Sequence, residues 1–316
     1  MRNNDFQKYM FVIAVLMLVS FIVIRAPFIF SASHGPNYEN VTVDTRVNIT
    51  ESKSTILGVV IDQGNLTITL NAGLTRLITC NITIRDYNGW NDTTNVNATF
   101  WDNTTVGAGD PDDDNNHYSN SSCTRMSNDG QYVSNWDCSF NVWYHANNGS
   151  NWVCNATAKD TYTNSTNNYT DSGYNVTTIN SLYALNVTSL IDYGDMAAGD
   201  TSTASEIANI TNFGNMDINI SLYGWGGNNL SDTTYSGLSF VCEIGNISVE
   251  NERYSLTDQS WLSMTNLTNE STLIQGLTMP QRTASEVVNT TFWRLYVPPA
   301  PFGQCNGTIV FAAEIP

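Results

Sequence analysis

Along much of this chain, apolar side chains fall on every second position, the period of strands with one buried face. Trp136, Cys138, Phe140, Val142 and Tyr144 alternate with Asp137, Ser139 and Asn141. The turn-like run Asn147-Asn148-Gly149-Ser150 follows, and its Asn and Gly tolerate positive φ. Then Trp152, Cys154, Ala156 and Ala158 alternate with Val153, Asn155 and Thr157. The pattern predicts a hairpin over 136–160 whose inner face carries two cysteines and several aromatics. Earlier strands are predicted from Ile56, at Leu66, Ile68 and Leu70, at Ile78, Cys80, Ile82 and Ile84, and where Phe100 or Trp101 offers itself to a core. A long loop is expected over 103–122, a short element at Cys123, and a closing strand near Tyr174–Ile179.

From Leu182 the pattern restarts. Ile218, Ile220 and Leu222 share one face, as do Phe240, Cys242 and Ile244, and later Cys305, Ile309 and Phe311. Short strands separated by turn signals indicate an all-β chain of antiparallel sandwiches. Its 316 residues suffice for an anchor and about two ordinary domains. The expected division is 1–33 signal peptide or signal-anchor, 34–55 polar linker, 56–180 first sandwich and 181–316 second sandwich.

The N-terminal reading rests on the hydrophobic run Met10–Ile24, preceded by Arg2 and Lys8. As a helix that run spans about 22 Å, short of a hydrocarbon core of roughly 30 Å, but continuing to Phe30 reaches spanning length. It is then a single N-terminal transmembrane helix. A cleaved signal peptide is the alternative, with Ser31 and Ser33 before a cut at His34. In both cases the basic residues stay inside and the remainder is exported. A pilin-type leader, which would make the chain a filament subunit, lacks the expected small residue in Gln7-Lys8-Tyr9.

Charge narrows the partners. Acids outnumber bases 29 to 12, a net charge of −17, which disfavours nucleic acid and anionic membrane surfaces. Six cysteines, none in a CxxC pair, read as disulfides in an exported chain rather than as zinc ligands. The first four allow three pairings; Cys242 and Cys305 remain to staple the second domain.

The densest chemical signal is the sequon Asn-x-Ser/Thr, present about twenty times. Asn65, Asn81, Asn155, Asn219 and Asn306 all lie opposite the inward phase of their strands and are the expected glycan carriers. Asp110, Asp112 and Asp114 alternate as calcium ligands do, but Asn115 and Ser121 stand where an EF-hand has glycine and glutamate. Calcium is therefore the one candidate metal, with an ordinary acidic loop as the competing reading. Trp90, Trp225 and Trp261 lie in turn-like surroundings suited to stacking on sugars or packing on their own loops. HExxH, GxSxG, Walker and dinucleotide motifs are all absent, so no catalytic residue or cofactor is expected.

The stretches VVIDQGNLTITLNAG, TCNITIRDYNGWND and WVCNATAKD resemble exported surface proteins of small-genome archaea with immunoglobulin-like repeats. ITNFGNMDINIS resembles the opening strands of immunoglobulin-like modules with an Asn-x-Gly-Asn turn. The resemblance implies two immunoglobulin-like β-sandwiches in tandem after an N-terminal hydrophobic helix. Cys80 and Cys154 resemble the inter-sheet bridge of such folds, which would leave Cys123 to pair with Cys138. The implied function is non-enzymatic: a glycosylated cell-surface protein, structural or adhesive, contacting other envelope proteins or a partner cell. A glycan-binding module, a pilus-like filament subunit and, further off, a secreted glycoside hydrolase are the alternatives.

Overall fold

A computed structural model of the chain describes residues 42–161 and 169–316. The predicted N-terminal helix lies outside them. Among the described residues the chain is all-β, with only single-turn 3-10 segments and no helix long and apolar enough to cross a membrane. Glu51–Pro316 forms one compact unit and the chain up to Thr50 another; residues 42–50 of the latter are exposed and outside any strand.

Two sheets come from β1 (Thr55–Ile61), β2 (Thr67–Ile68), β3 (Thr75–Arg85), β4 (Thr93–Asp102), β5 (His117–Asn120), β6 (Thr124–Asp129), β7 (Val133–Trp143), β8 (Gly149–Asp160) and β9 (Tyr169–Ile179). Their orders are β1-β3-β7-β6 and β2-β9-β8-β4-β5. Two more come from β10 (Leu185–Val187), β11 (Glu206–Asn212), β12 (Ile218–Gly226), β13 (Leu238–Ile244), β14 (Asn246–Ser248), β15 (Glu252–Ser255), β16 (Thr265–Asn266), β17 (Thr272–Met279), β18 (Val288–Leu295) and β19 (Phe302–Glu314). These run β10-β11-β18-β15-β16 and β14-β13-β19-β12-β17.

Alternation explains the first core. Ile78, Cys80, Ile82 and Ile84 of β3, and Cys138, Phe140 and Val142 of β7, are all buried. So are Trp152, Cys154, Ala156 and Ala158 of β8. Phe100 lies between the sheets, 5.8 Å from the Phe140 ring and 4.8 Å from Trp152. Burying each such side chain is worth about 1.5–3 kcal/mol. Bridges join Cys80 to Cys154, Cys123 to Cys138 and Cys242 to Cys305. The first crosses from β3 to β8, that is, from one sheet to the other.

The predicted 136–160 hairpin is not formed. β7 pairs with β3 and β6, and β8 with β4 and β9, so the two strands belong to different sheets. Alternation says which face is buried, and that face is satisfied equally by a neighbour beside it or a sheet opposite it. Nor do Asn147, Asn148 and Gly149 take positive φ; the segment is an arch that buries Tyr144, His145 and Ala146. The expected loop 103–122 contains β5, which pairs with β4, and Leu66 is exposed rather than in phase with buried Ile68 and Leu70.

The second pair of sheets encloses Ile210, Ile218, Ile220, Leu222 and Trp293, against which Ile309 and Phe311 of β19 are only partly buried. Ile244, expected in phase with Phe240 and Cys242, is exposed because the β13–β19 register shifts between Cys242 and Ile244. Where the two pairs of sheets meet, buried amides fasten them. Asn215 Nδ2 donates to the Ala146 and Asn180 carbonyls at 3.0 and 3.1 Å, and its Oδ1 accepts from the Leu182 amide at 2.6 Å. Asn115 Nδ2 donates to the His145 and Arg282 carbonyls, both at 2.8 Å. Gly214 passes so close that an added Cβ would sit 2.1 Å from the Leu182 oxygen.

The bridges differ in access. Cys80, Cys138 and Cys154 are fully buried, whereas Cys242 and Cys305 are partly exposed. Stepwise reduction with alkylation and peptide mapping is therefore expected to open Cys242–Cys305 first. Replacing Cys80 and Cys154 together by alanine should cost about 4 kcal/mol in denaturant unfolding, the chain entropy of closing so long a loop.

Candidate functional site

Between β10 and β19 lies a cleft of about 680 Å³, walled by Leu185–Ile191 on one side and Asn306–Phe311 on the other. It exists because the strands beside β19 stop short. β13 pairs with β19 over Phe302–Asn306, while β12 pairs over Gly307–Glu314. β19 lies between those two strands in its sheet, so past Asn306 no described strand pairs with it on the side that β13 leaves. β10 is itself a sheet edge, paired only with β11. Both walls thus offer strand edges, and behind them stand the half-buried Leu185, Val187, Ile309 and Phe311.

Glu252, the first residue of β15, also lines the cleft and is 2% exposed. Burial pushes its carboxyl up to about 7, against the pull of the Tyr193 hydroxyl, which donates to Oε1 at 2.8 Å. Burial first, and the Glu252 charge second, hold the Tyr193 hydroxyl well above its usual range. Glu252 is the single carboxyl in the cleft lining. Glycoside hydrolysis uses two, about 5–10 Å apart across the substrate. The cleft supplies two strand edges and a lining in which apolar side chains alternate with Asn, Thr and Ser.

A second group lies at the junction of the sheets. His145 is 2% exposed, stacked on Trp143 at 5.9 Å and met edge-on by Tyr144 at 4.9 Å. Neither ring nitrogen has a hydrogen-bond partner, and nor do the Tyr144 hydroxyl and Arg282 Nε. Burial, then the charge of Arg282, lowers the imidazole pKa to about 4. His145 is thus a neutral packing element. Its carbonyl, which accepts from Asn115 and from Gln281 Nε2 at 2.7 Å, makes the joint.

The three aspartates expected for calcium do not converge. Asp110 Oδ2 accepts the Gly107 amide, and Asp112 meets His117 Nδ1 at 2.8 Å and the Ser119 hydroxyl at 2.9 Å. Asp114 adopts φ 61°, and its carbonyl accepts the Tyr118 hydroxyl. The loop is organised by Asp113, which the alternating pattern passes over. Burial would raise that carboxyl, but hydrogen bonds from Asn116, His117 and Asn115 hold it below its usual value. Among the described residues no three His, Cys, Asp or Glu side chains are placed to hold a metal ion.

The tryptophans pack on their own surroundings. Arg125 lies 4.5 Å over Trp90 and Arg253 3.8 Å over Trp261; Trp225 Nε1 donates to the Asn229 carbonyl at 3.1 Å. Of the predicted glycan carriers, Asn65 and Asn306 are exposed and Asn81, Asn155 and Asn219 half-buried. No described sequon asparagine is buried. Among the described residues the buried asparagines, Asn115, Asn212 and Asn215, are not in sequons.

No protein-family model matches this chain, and no curated protein does either.

The two perturbed groups act oppositely on stability. Glu252 holds its proton to about pH 7 in the folded chain against 4.5 ordinarily. Its contribution is full below pH 4.5 and lost as pH rises towards 7. His145 resists protonation down to about pH 4 against 6.5 ordinarily. Its contribution is full above pH 6.5 and lost as pH falls towards 4. Each is worth about 3 kcal/mol at most. Urea unfolding across pH 4–7 should show Glu252→Gln gaining stability with rising pH relative to the natural chain. His145→Phe should lose stability over the same range.

Proposed function

We propose that this chain is an exported, glycosylated cell-envelope protein with a structural or adhesive role. It presents two immunoglobulin-like β-sandwiches in tandem beyond an N-terminal hydrophobic helix, as in the archaeal surface proteins it resembles. The observation that carries the reading is the division of its asparagines. Those in sequons lie at the surface or half-buried, where a glycan costs no packing, while the buried ones that build the joint lack the acceptor triplet. Three buried or half-buried disulfides suit an oxidising compartment. The net charge of −17 suits a solvated surface and disfavours nucleic acid as a partner. The amides across the joint favour a rigid spacer over a hinged one, and the partners proposed are other envelope proteins or a neighbouring cell.

Intact mass and peptide mapping of the natively expressed protein test this. Sugar is expected on several of Asn65, Asn81, Asn155, Asn219 and Asn306, none on Asn115, Asn212 or Asn215, with a retained N-terminal helix. Bare asparagines and free thiols would refute the reading.

A further inference from the structure

The cleft beside β19 carries two sequons, one on each wall. Asn186-Val187-Thr188 lies on β10 and Asn306-Gly307-Thr308 on β19, and both asparagines are exposed residues of the lining. The third asparagine among the described lining residues, Asn228, is followed by Asn229-Leu230 and is not in a sequon. Asn186 and Asn306 are out of phase with their inward neighbours, Leu185 and Val187 on one strand and Ile309 and Phe311 on the other. Neither carboxamide is hydrogen-bonded to a described residue, whereas Nδ2 of Asn65 donates to Asp62 and that of Asn81 to Asp137. A sugar attached at Asn186 or Asn306 thus displaces no packed side chain and costs no bond.

The lining suits what such a sugar would bring. Apolar side chains alternate with Asn, Thr and Ser. Along one wall runs the edge of β19 that β13 leaves at Asn306, where no described strand takes up the backbone N–H and C=O groups. Sugar rings match this mixture, with hydroxyls that donate and accept around the rim and C–H faces that pack on side chains such as Leu185 and Phe311. The volume of about 680 Å³ lies within the roughly 300–1,000 Å³ of ligand-holding clefts. Left bare, an open β edge recruits another strand.

We infer that the cleft is filled by the chain's own glycans: N-linked sugar on Asn306, and on Asn186 across from it, turns in over the rim, hydrogen-bonds to the free edge of β19 and shields it. The glycan is then the missing neighbour of a central strand, a part of the fold rather than a coat on it. The inference rests on the glycoprotein reading above. To that reading it adds Asn186 as a carrier and a structural role for sugar at one place in the molecule.

The test is peptide mapping and amide exchange on the natively expressed full chain. Mapping should find sugar on both Asn186 and Asn306. In the double variant Asn186→Gln, Asn306→Gln, the amides of Thr308–Ala312 that β12 does not take should exchange at least ~tenfold faster. Those of β3 and β18 should be unchanged, since both asparagines are exposed and unbonded. Asn65→Gln, which removes sugar from an exposed site elsewhere, should leave β19 as it was. A second measurement needs no variant: sodium periodate should oxidise the sugar on Asn306 more slowly than that on Asn65 in the folded chain, and equally fast in urea. Sugar on other sequons with Asn186 or Asn306 bare would overturn this inference alone; sugar nowhere would overturn the glycoprotein reading as well. Unchanged exchange in β19 once both sugars are gone, or equal oxidation in the folded chain, would also overturn it.

Discussion

Everything in the first pair of sheets depends on one crossing, the Cys80–Cys154 bridge between β3 and β8. Cys80 lies opposite Cys138 in the β3–β7 ladder, and Cys138 is bridged to Cys123 at the mouth of β6. Four cysteines therefore occupy one layer of the core and tie four segments and both sheets together. With the sheets held at that layer, Phe100, Phe140 and Trp152 have a fixed gap to fill. The burial of whole strand faces follows from that gap. A core so fixed tolerates the long loop before β5 and the shared edges around it without losing register.

The joint obeys a different rule. Few of its contacts are between large apolar side chains; Tyr144 and Phe213, with rings 5.5 Å apart, are the main pair. Most of the fastening is amide to carbonyl, through Asn115, Asn215 and Gln281. Such bonds are directional, and an unmade one in a buried site costs about 1–3 kcal/mol, so the joint resists rotation more than an oily contact would. The unpartnered nitrogens of His145 and the Tyr144 hydroxyl are the tension in this arrangement. The ring is retained for its shape between Trp143 and Tyr144, and its neutrality follows from burial beside Arg282.

Much of this architecture could be read from residue order because period two is a local signal. The buried faces of β3, β7, β8 and β12 coincide with the alternations at Cys80, Cys138, Cys154 and Ile220. What order cannot convey is which strand stands beside which. β7 and β8 have the pattern of a hairpin and are instead partners across a core, since face-to-face packing and edge pairing demand the same alternation. The acidic loop shows a similar limit. Alternating Asp110, Asp112 and Asp114 matched a ligand spacing, but the backbone amides that Asp113 collects decide the shape of the loop. The cleft had no signal at all in sequence, because it arises where the β13–β19 ladder ends, at Val241 opposite Asn306.

The two cores also differ in how completely they close. In the first, β3, β7, β4 and β8 lie inside their sheets with neighbours on both sides, and their inward side chains are lost from solvent. In the second, β19 is the central strand of its sheet by order, yet every residue from Cys305 to Ala313 keeps some exposure. A central strand normally buries its inward face and engages both its backbone edges, so this one is in the position of an edge along half its length. Edges of that kind invite another strand, and folded proteins usually blunt them with charge, proline or a covering loop. Here the open stretch, Gly307 to Ala313, carries neither charge nor proline, and the cleft it borders is lined by polar and apolar side chains alike. An edge left open on a central strand sets the second pair of sheets apart from the first, whose two sheets the Cys80–Cys154 bridge ties together.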